Sequence, residues 1–168
     1  MSENAMALVI GGGIALLSFG LAVVWDLIKF NREQGQKDEA ILFALKQEMT
    51  SNVEIMKTNV TILTQEIGII DQGKQVVEPL NLLENSSWDF LKIQIPHKLT
   101  EKVETLTKIK EASQVTSKIN ETIKSRENYR INNGAMSNFS SRMKLYDQIL
   151  VRDEESLVKA IEGLLPKL

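Results

Sequence analysis

No cysteine occurs in this chain, and histidine occurs once, at His97. The first absence excludes disulfides, thiolate chemistry and cysteine-ligated metal. The second leaves no histidine cluster for a metal such as zinc. Neither fixes a compartment, because a disulfide-free protein is stable on either side of a membrane. Proline and glycine are scarce, at 3 and 9 residues of 168, so long structureless connections are not expected. An excess of one charge is missing too: 20 Lys and Arg face 22 Asp and Glu. That balance leaves no basic field for nucleic acid. The basic residues of the second long helical stretch alternate with Glu101, Glu104, Glu111, Glu121 and Glu127, a poor surface for phosphate backbones.

Charge is absent altogether from Ala5 to Trp25, where Ser18 is the only hydroxyl. As a helix rising about 1.5 Å per residue this segment covers roughly 31 Å, which matches a bilayer hydrocarbon core of about 30 Å. Trp25 stands at its end, where an aromatic ring suits the headgroup level. A cleaved signal peptide wants a basic n-region, and this one has Glu3 and no Lys or Arg. The expected organisation is therefore a short tail (1–4), a transmembrane helix (5–25), a juxtamembrane helix or hinge (26–37) and a helical bundle (38–168). Lys29, Arg32 and Lys37 follow the span and no cation precedes it, so the positive-inside rule puts the N-terminus outside and the C-terminal domain in the cytoplasm of a single-pass cell-membrane protein. Against this stand N-x-S/T sequons at Asn59, Asn85, Asn120 and Asn138, which would accept glycans only on the outer side; in an Asn-, Ser- and Thr-rich chain they read as coincidence. Within the span Ala7, Gly11, Ala15, Ser18 and Ala22 share one helix face, a stripe that lets two copies approach closely.

Downstream, the pattern is helical throughout. Asp26 to Glu33 continue the first helix, Gly35 offers a break and Asp38 a cap. A long apolar stripe then reads Leu42, Leu45, Met49, Val53, Met56, Val60, Leu63 and Ile67, at the near-heptad spacing of coiled-coil packing, with Gly68 and Gly73 ending it. Residues 68–86 are too apolar for a free loop and are expected to fold over the far end of the bundle. Ser86 reads as the N-cap of a short helix, with Asp89 three residues on, closed by Pro96. Trp88 and Phe90 anchor that helix in the core or, alternatively, form a partner-binding pair. From His97 one long helix is expected to about Asn132, with Leu99, Val103, Leu106, Ile109, Ala112, Val115, Ile119 and Ile123 on its stripe, then Arg126 and Arg130, and the pairs Glu104–Lys108 and Glu121–Lys124 on its wet face. Asn133-Gly134 stops it with a left-handed glycine. A last helix from Ser137 to Glu162 presents Phe139, Met143, Tyr146, Leu150, Leu157 and Ile161.

These elements predict an all-α fold: a transmembrane helix and then an antiparallel bundle of three long helices and one short one. In that path the first helix leaves the membrane and the second returns, so Arg126, Arg130, Arg142 and Lys144 around Asn133-Gly134 should join Lys29, Arg32 and Lys37 at a cationic, lipid-headgroup end. Glu66, Asp71, Glu78, Glu84 and Asp89 should make the other end acidic.

The E-x-x-x-N stretch from Glu48 to Asn52 and the Trp88-Asp89 helix start give the region Ala40–Asn132 a resemblance to a loose class of uncharacterised prokaryotic single-span membrane proteins with a cytoplasmic helical domain. The class brings no known activity, so the resemblance implies no site. Nor does a catalytic constellation stand out. His97 reads as a helix-start residue, Asp153-Glu154-Glu155 as a wet helical face, and Gly11-Gly12-Gly13 lies in the span with no Lys-Ser/Thr pair of a phosphate loop behind it. The expectation is a non-enzymatic, membrane-anchored scaffold or interaction module with no cofactor or metal, whose partners are membrane lipid, further copies of itself and another protein. The alternative is a small oligomerising effector that permeabilises the bilayer; a membrane-bound enzyme is the least expected.

Overall fold

The computed structural model of the chain describes residues 24–74, 77–88, 91–100 and 102–168. Its elements are α1 (Glu3–Asp71), α2 (Ser86–Ile93), α3 (His97–Thr100), α4 (Val103–Asn133), α5 (Phe139–Leu164) and a 3-10 turn (Leu165–Lys167). No strand occurs among the described residues, so the fold is all-α. The chain forms two compact units, Met1–Ala40 and Ile41–Leu168. The expected span from Ala5 and its small-residue face at Ala7, Gly11, Ala15, Ser18 and Ala22 lie outside the described residues. Among the described residues no helix is long and apolar enough to cross a membrane.

In the first unit the expected break at Gly35 and cap at Asp38 do not occur: α1 is helical through both. A single glycine inside a helix costs only about 1 kcal/mol relative to alanine, which continuous hydrogen bonding on either side readily offsets. Gly68 is likewise helical, and α1 stops at Asp71. There Gly73 takes a left-handed φ of 74°. The Gly73 N–H bonds Ile70 O at 2.9 Å and the Lys74 N–H bonds Ile69 O at 3.2 Å, the paired bonds of a Schellman stop.

In the second unit, Leu42, Leu45, Met49, Val53, Met56 and Leu63 of α1 pack into one core with Ile109, Ala112, Ile119 and Ile123 of α4 and Leu150, Leu157, Ile161 and Leu164 of α5. The apolar stripes are those the spacing predicts, with two departures. Val103 is exposed, because the helix expected from His97 is divided: Lys102 has a non-helical backbone (φ −108°, ψ 58°), which separates α3 from α4. On α5 the inward position beside Tyr146 belongs to Asp147, which is fully buried.

The path of the chain differs from the expected one. Residues 77–85 do not cover the end of the bundle. They run back along it as an extended strap: Glu78 bonds Glu66, Asn81 bonds Asn59, Glu84 bonds Asn52 and Ser87 bonds Glu48. The strap thus returns the chain to the level of Glu48 before α4 begins. In consequence α4 runs parallel to α1 within this unit, with Arg126 beside Glu66, while α5 is antiparallel to both, with Lys118 facing Asp153 and Lys57 facing Glu162. Two short helices, α2 and α3, accompany the three long ones. The α4–α5 turn closes with Tyr129 stacked on Phe139 at 5.8 Å between centroids. Gly134 in that turn is right-handed (φ −56°, ψ −24°), not left-handed as expected.

Candidate functional site

The distinctive feature of the second unit is a ladder of polar side chains that grips the strap by its main chain. Asn52 accepts the Glu84 N–H (2.8 Å) and donates to Glu84 O (2.7 Å). Asn59 does the same to Asn81, at 3.1 and 2.9 Å. From the opposite side, Asn120 of α4 accepts the Leu83 N–H and donates to Leu83 O, both at 2.8 Å. Each carboxamide thus stands in for the neighbouring strand that an extended segment otherwise needs to satisfy its peptide groups.

The spacing has a geometric cause. The grips on α1 fall at Asn52, Asn59 and Glu66, seven residues apart, and their targets Glu84, Asn81 and Glu78 are three apart. Seven helical residues rise about 10.5 Å and three extended residues about 10 Å. A heptad on α1 therefore stays in register with every third residue of the strap. Pro79 has no N–H to satisfy and falls between grips.

At the end of the strap, Glu48 Oε2 accepts the Ser87 N–H at 2.7 Å and the Ser86 hydroxyl at 3.0 Å. A carboxylate from α1 thereby serves the N-terminus of α2, where the helix dipole favours it. The expected N-cap at Ser86 is thus completed by another helix. Glu48 and Asn52, the two ends of the E-x-x-x-N stretch, are the pair that grips this corner.

At the other end lies a buried ion cluster. Arg126 is 1 % exposed. Its Nε bonds Asp147 Oδ1 at 2.7 Å, Nη2 bonds Glu66 and Nη1 bonds Glu78 O at 3.1 Å. Burial raises both carboxyls above their ordinary range, and Arg126 partly offsets this. One rung along, Glu154 is also fully buried. Its Oε1 accepts the second Asn59 amide hydrogen at 3.1 Å, while Glu154 Oε2 and Asp147 Oδ2 have no hydrogen-bond partner. Burial pushes Glu154 up to about 7, against the hydrogen bond from Asn59.

These placements correct several expectations. Arg126 is no headgroup contact, because it is sealed in the core between two carboxylates. Arg130 pairs with Glu127, and Lys144 pairs with Asp71. Arg142 is exposed, as are Lys29, Arg32 and Lys37 of the first unit. Among the described residues of the second unit no separate cationic and acidic ends exist, since Glu66, Asp71 and Glu78 share one end with Arg126 and Lys144; the parallel course of α4 brings them together, and the side chain of Asp89 lies outside the described residues. Asp153-Glu154-Glu155 is not uniformly wet, because Glu154 points into the core. The sequons at Asn59, Asn85 and Asn120 serve the strap: Asn59 is buried, and Asn85 bonds Ser113 and Ser117 across to α4. Asn138 is exposed.

Beside the strap an open groove of about 920 Å³ runs between α2 and α4, lined among others by Trp88, Ile95, Leu106, Lys110 and Lys118. Trp88 is half-buried and packs on the core; the side chain of Phe90 lies outside the described residues. Among the described residues no group of three His, Asp or Glu could hold a metal ion. The ladder holds chain to chain. Comparison with protein-family models, curated proteins and solved structures finds no match to this chain.

Proposed function

We propose that the chain is a membrane-anchored helical interaction module: the amino-terminal part of α1 holds it in a bilayer, and the bundle Ile41–Leu168 presents a surface to a protein partner or to further copies. The observation that carries this reading is the stretch at the end of the uncharged segment and just beyond it. Val24, Trp25, Leu27, Ile28 and Phe30 are 52–68 % exposed. At about 100° per residue these side chains cover an arc of about 220°, with Asp26 and Lys29 on the remaining face, so one packed neighbour would cover only some of them. Lipid and its interface cover the whole of that arc, with Trp25 at headgroup level, Asp26 and Lys29 turned to water, and Arg32 and Lys37 anchoring beyond. By the positive-inside rule the bundle lies in the cytoplasm, as in the class the chain resembles. The groove beside Trp88 is the face offered to a partner.

Fractionation tests the reading. The full chain should stay with membranes through high salt and alkaline carbonate and leave only in detergent, whereas a variant starting at Ile41 should be recovered without membranes. Release of the full chain by carbonate would overturn the anchor. A reporter fused after Leu168 should be active only on the cytoplasmic side. Loss of membrane potential on expression, abolished by Gly12→Leu or Ala15→Leu, would instead identify a permeabilising effector.

A further inference from the structure

We propose that Glu154 is a proton-operated catch for the strap: neutral, it lets α5 close over Asn59 and so holds residues 79–85 between α1 and α4; ionised, it lets them go. The geometry makes Asn59 the shared joint. Its carboxamide has two hydrogens to give, and it divides them between Asn81 O and Glu154 Oε1 while its own oxygen takes the Asn81 N–H. Whatever displaces Glu154 therefore disturbs the grip on Asn81. Asn59 and Glu154 are both 0 % exposed.

A neutral carboxyl is tolerable in that place; an ionised one is not. The carboxylate would have acceptor positions on both oxygens and a single neutral donor, because Oε2 has no partner. Among the described residues nothing of opposite charge comes to its aid. On α1, Glu66 is bonded to Arg126 and Lys57 reaches out to Glu162. On α4, Arg126 is taken up by Glu66 and Asp147, and Lys118 by Asp153. Glu78 and Glu84 of the strap are exposed acids, and on α5 itself Asp147 is a second buried acid. The upward shift of Glu154 to about 7 has burial as its cause and only Asn59 against it. Ionisation near neutrality is thus relieved by admitting water between α5 and Asn59. The strap is the lightest element at that point: Glu78, Pro79, Asn81, Leu82 and Glu84 are exposed, and Leu83 alone among 79–84 is buried.

Hydrogen exchange of the full chain in detergent micelles, read by mass spectrometry at pH 6 and pH 8 and corrected for intrinsic exchange, tests the catch. With a carboxyl near 7 when closed and 4.5 when open, the opening constant of peptides covering 79–85 should rise roughly tenfold over that interval. Peptides from the middle of α4 should not follow. In Glu154→Gln the strap should stay protected at both values. The proposal is overturned if strap exchange is unchanged with pH in the native protein, if it changes equally in Glu154→Gln, or if α4 opens in parallel. Should Glu154→Gln fail to fold, carbon-13 titration of the native carboxyls replaces it. One glutamate should titrate near neutrality, with the Asn81 and Leu83 amide shifts moving at the same midpoint; strap amides indifferent to that titration sink the idea.

Discussion

Asn59 donates to Glu154 Oε1 at 3.1 Å in a place that no solvent reaches. This one neutral donor is all that opposes burial, and the carboxyl sits at about 7 instead of 4.5. The folded form therefore binds more protons than the unfolded form between those values, and stability must fall as pH rises through the window. Glu66 and Asp147 are raised by burial too, and act in the same direction. Below about pH 4.5 the penalty of Glu154 is absent; above about pH 7 it is complete, at about 3 kcal/mol. Urea unfolding of the full chain should accordingly give a higher midpoint at pH 5.5 than at pH 8. Glu154→Gln should remove much of that slope, raising the midpoint clearly more at pH 8 than at pH 5.5. A midpoint that climbs with pH in the native protein would refute the assignment.

Arg126 carries one positive charge between two buried acids. Its removal leaves both without a counter-charge and frees Glu78 O as well. Arg126→Met is therefore expected to cost about 3–5 kcal/mol near neutral pH, the range for breaking a buried pair. The loss should shrink as the solution is acidified and the stranded carboxyls take up protons. Adding Glu66→Gln and Asp147→Asn to Arg126→Met should recover much of the stability, because a neutral polar cluster has little desolvation to suffer. Denaturation of the single and triple variants at two pH values checks both claims. Equal losses for the two would show that packing, not charge, dominates.

The amides of Asn52 and Asn120 each hold a strap residue through two hydrogen bonds. Alanine at either position should cost about 1–3 kcal/mol, because strap peptide groups lose their partners. Aspartate is the sharper test. It keeps the acceptor for the N–H but faces the carbonyl of Glu84 or Leu83 with an oxygen instead of a donor. Asn52→Asp and Asn120→Asp should be at least as damaging as alanine near neutral pH and milder in acid, where the carboxyl regains a hydrogen to give. Thermal unfolding across pH distinguishes this from a simple loss of volume, which carries no such dependence.

The apolar stripes were legible because Leu42, Leu45, Met49, Val53, Met56 and Leu63 repeat at three and four residues, and burial follows that period wherever side chains are greasy. The ladder was missed because its members are polar. Glu154 reads as part of a wet face, Glu66 as part of an acidic end and Asn59 as a chance sequon, and Asp147 draws no reading, yet the signal is present: Asn52, Asn59 and Glu66 repeat at seven, and Asp147 and Glu154 repeat at seven beside the Met143, Leu150 and Leu157 row. A polar residue that holds heptad phase with a core stripe is a candidate for burial with a partner. The direction of α4 was not legible at all. It depends on whether residues 77–85 turn over the end or run back along α1, and an extended segment gripped by its main chain leaves no side-chain period to read. Nine such residues extend roughly 30 Å, as far as about 20 residues of helix, so one short connector decides between parallel and antiparallel packing.

Two glycines near the end of α1 should respond to alanine with opposite sign, though neither has an atom within 4 Å of where a Cβ would stand. With no steric contact in either case, only the backbone decides. Gly68 is in the helix interior, where alanine restricts the unfolded chain and suits the folded one; Gly68→Ala should stabilise by about 0.5–1 kcal/mol. Gly73 holds φ at 74°, a left-handed conformation that a Cβ disfavours by about 1–2 kcal/mol. Gly73→Ala should therefore destabilise by about that amount. The damage should also appear locally, since the Gly73 and Lys74 N–H groups close the Schellman stop from which the strap departs. Exchange at those two amides should rise more than exchange in the middle of α4. A Gly73→Ala variant as stable as the native protein would mean that α1 does not end in a left-handed residue, and the strap would then need another point of departure.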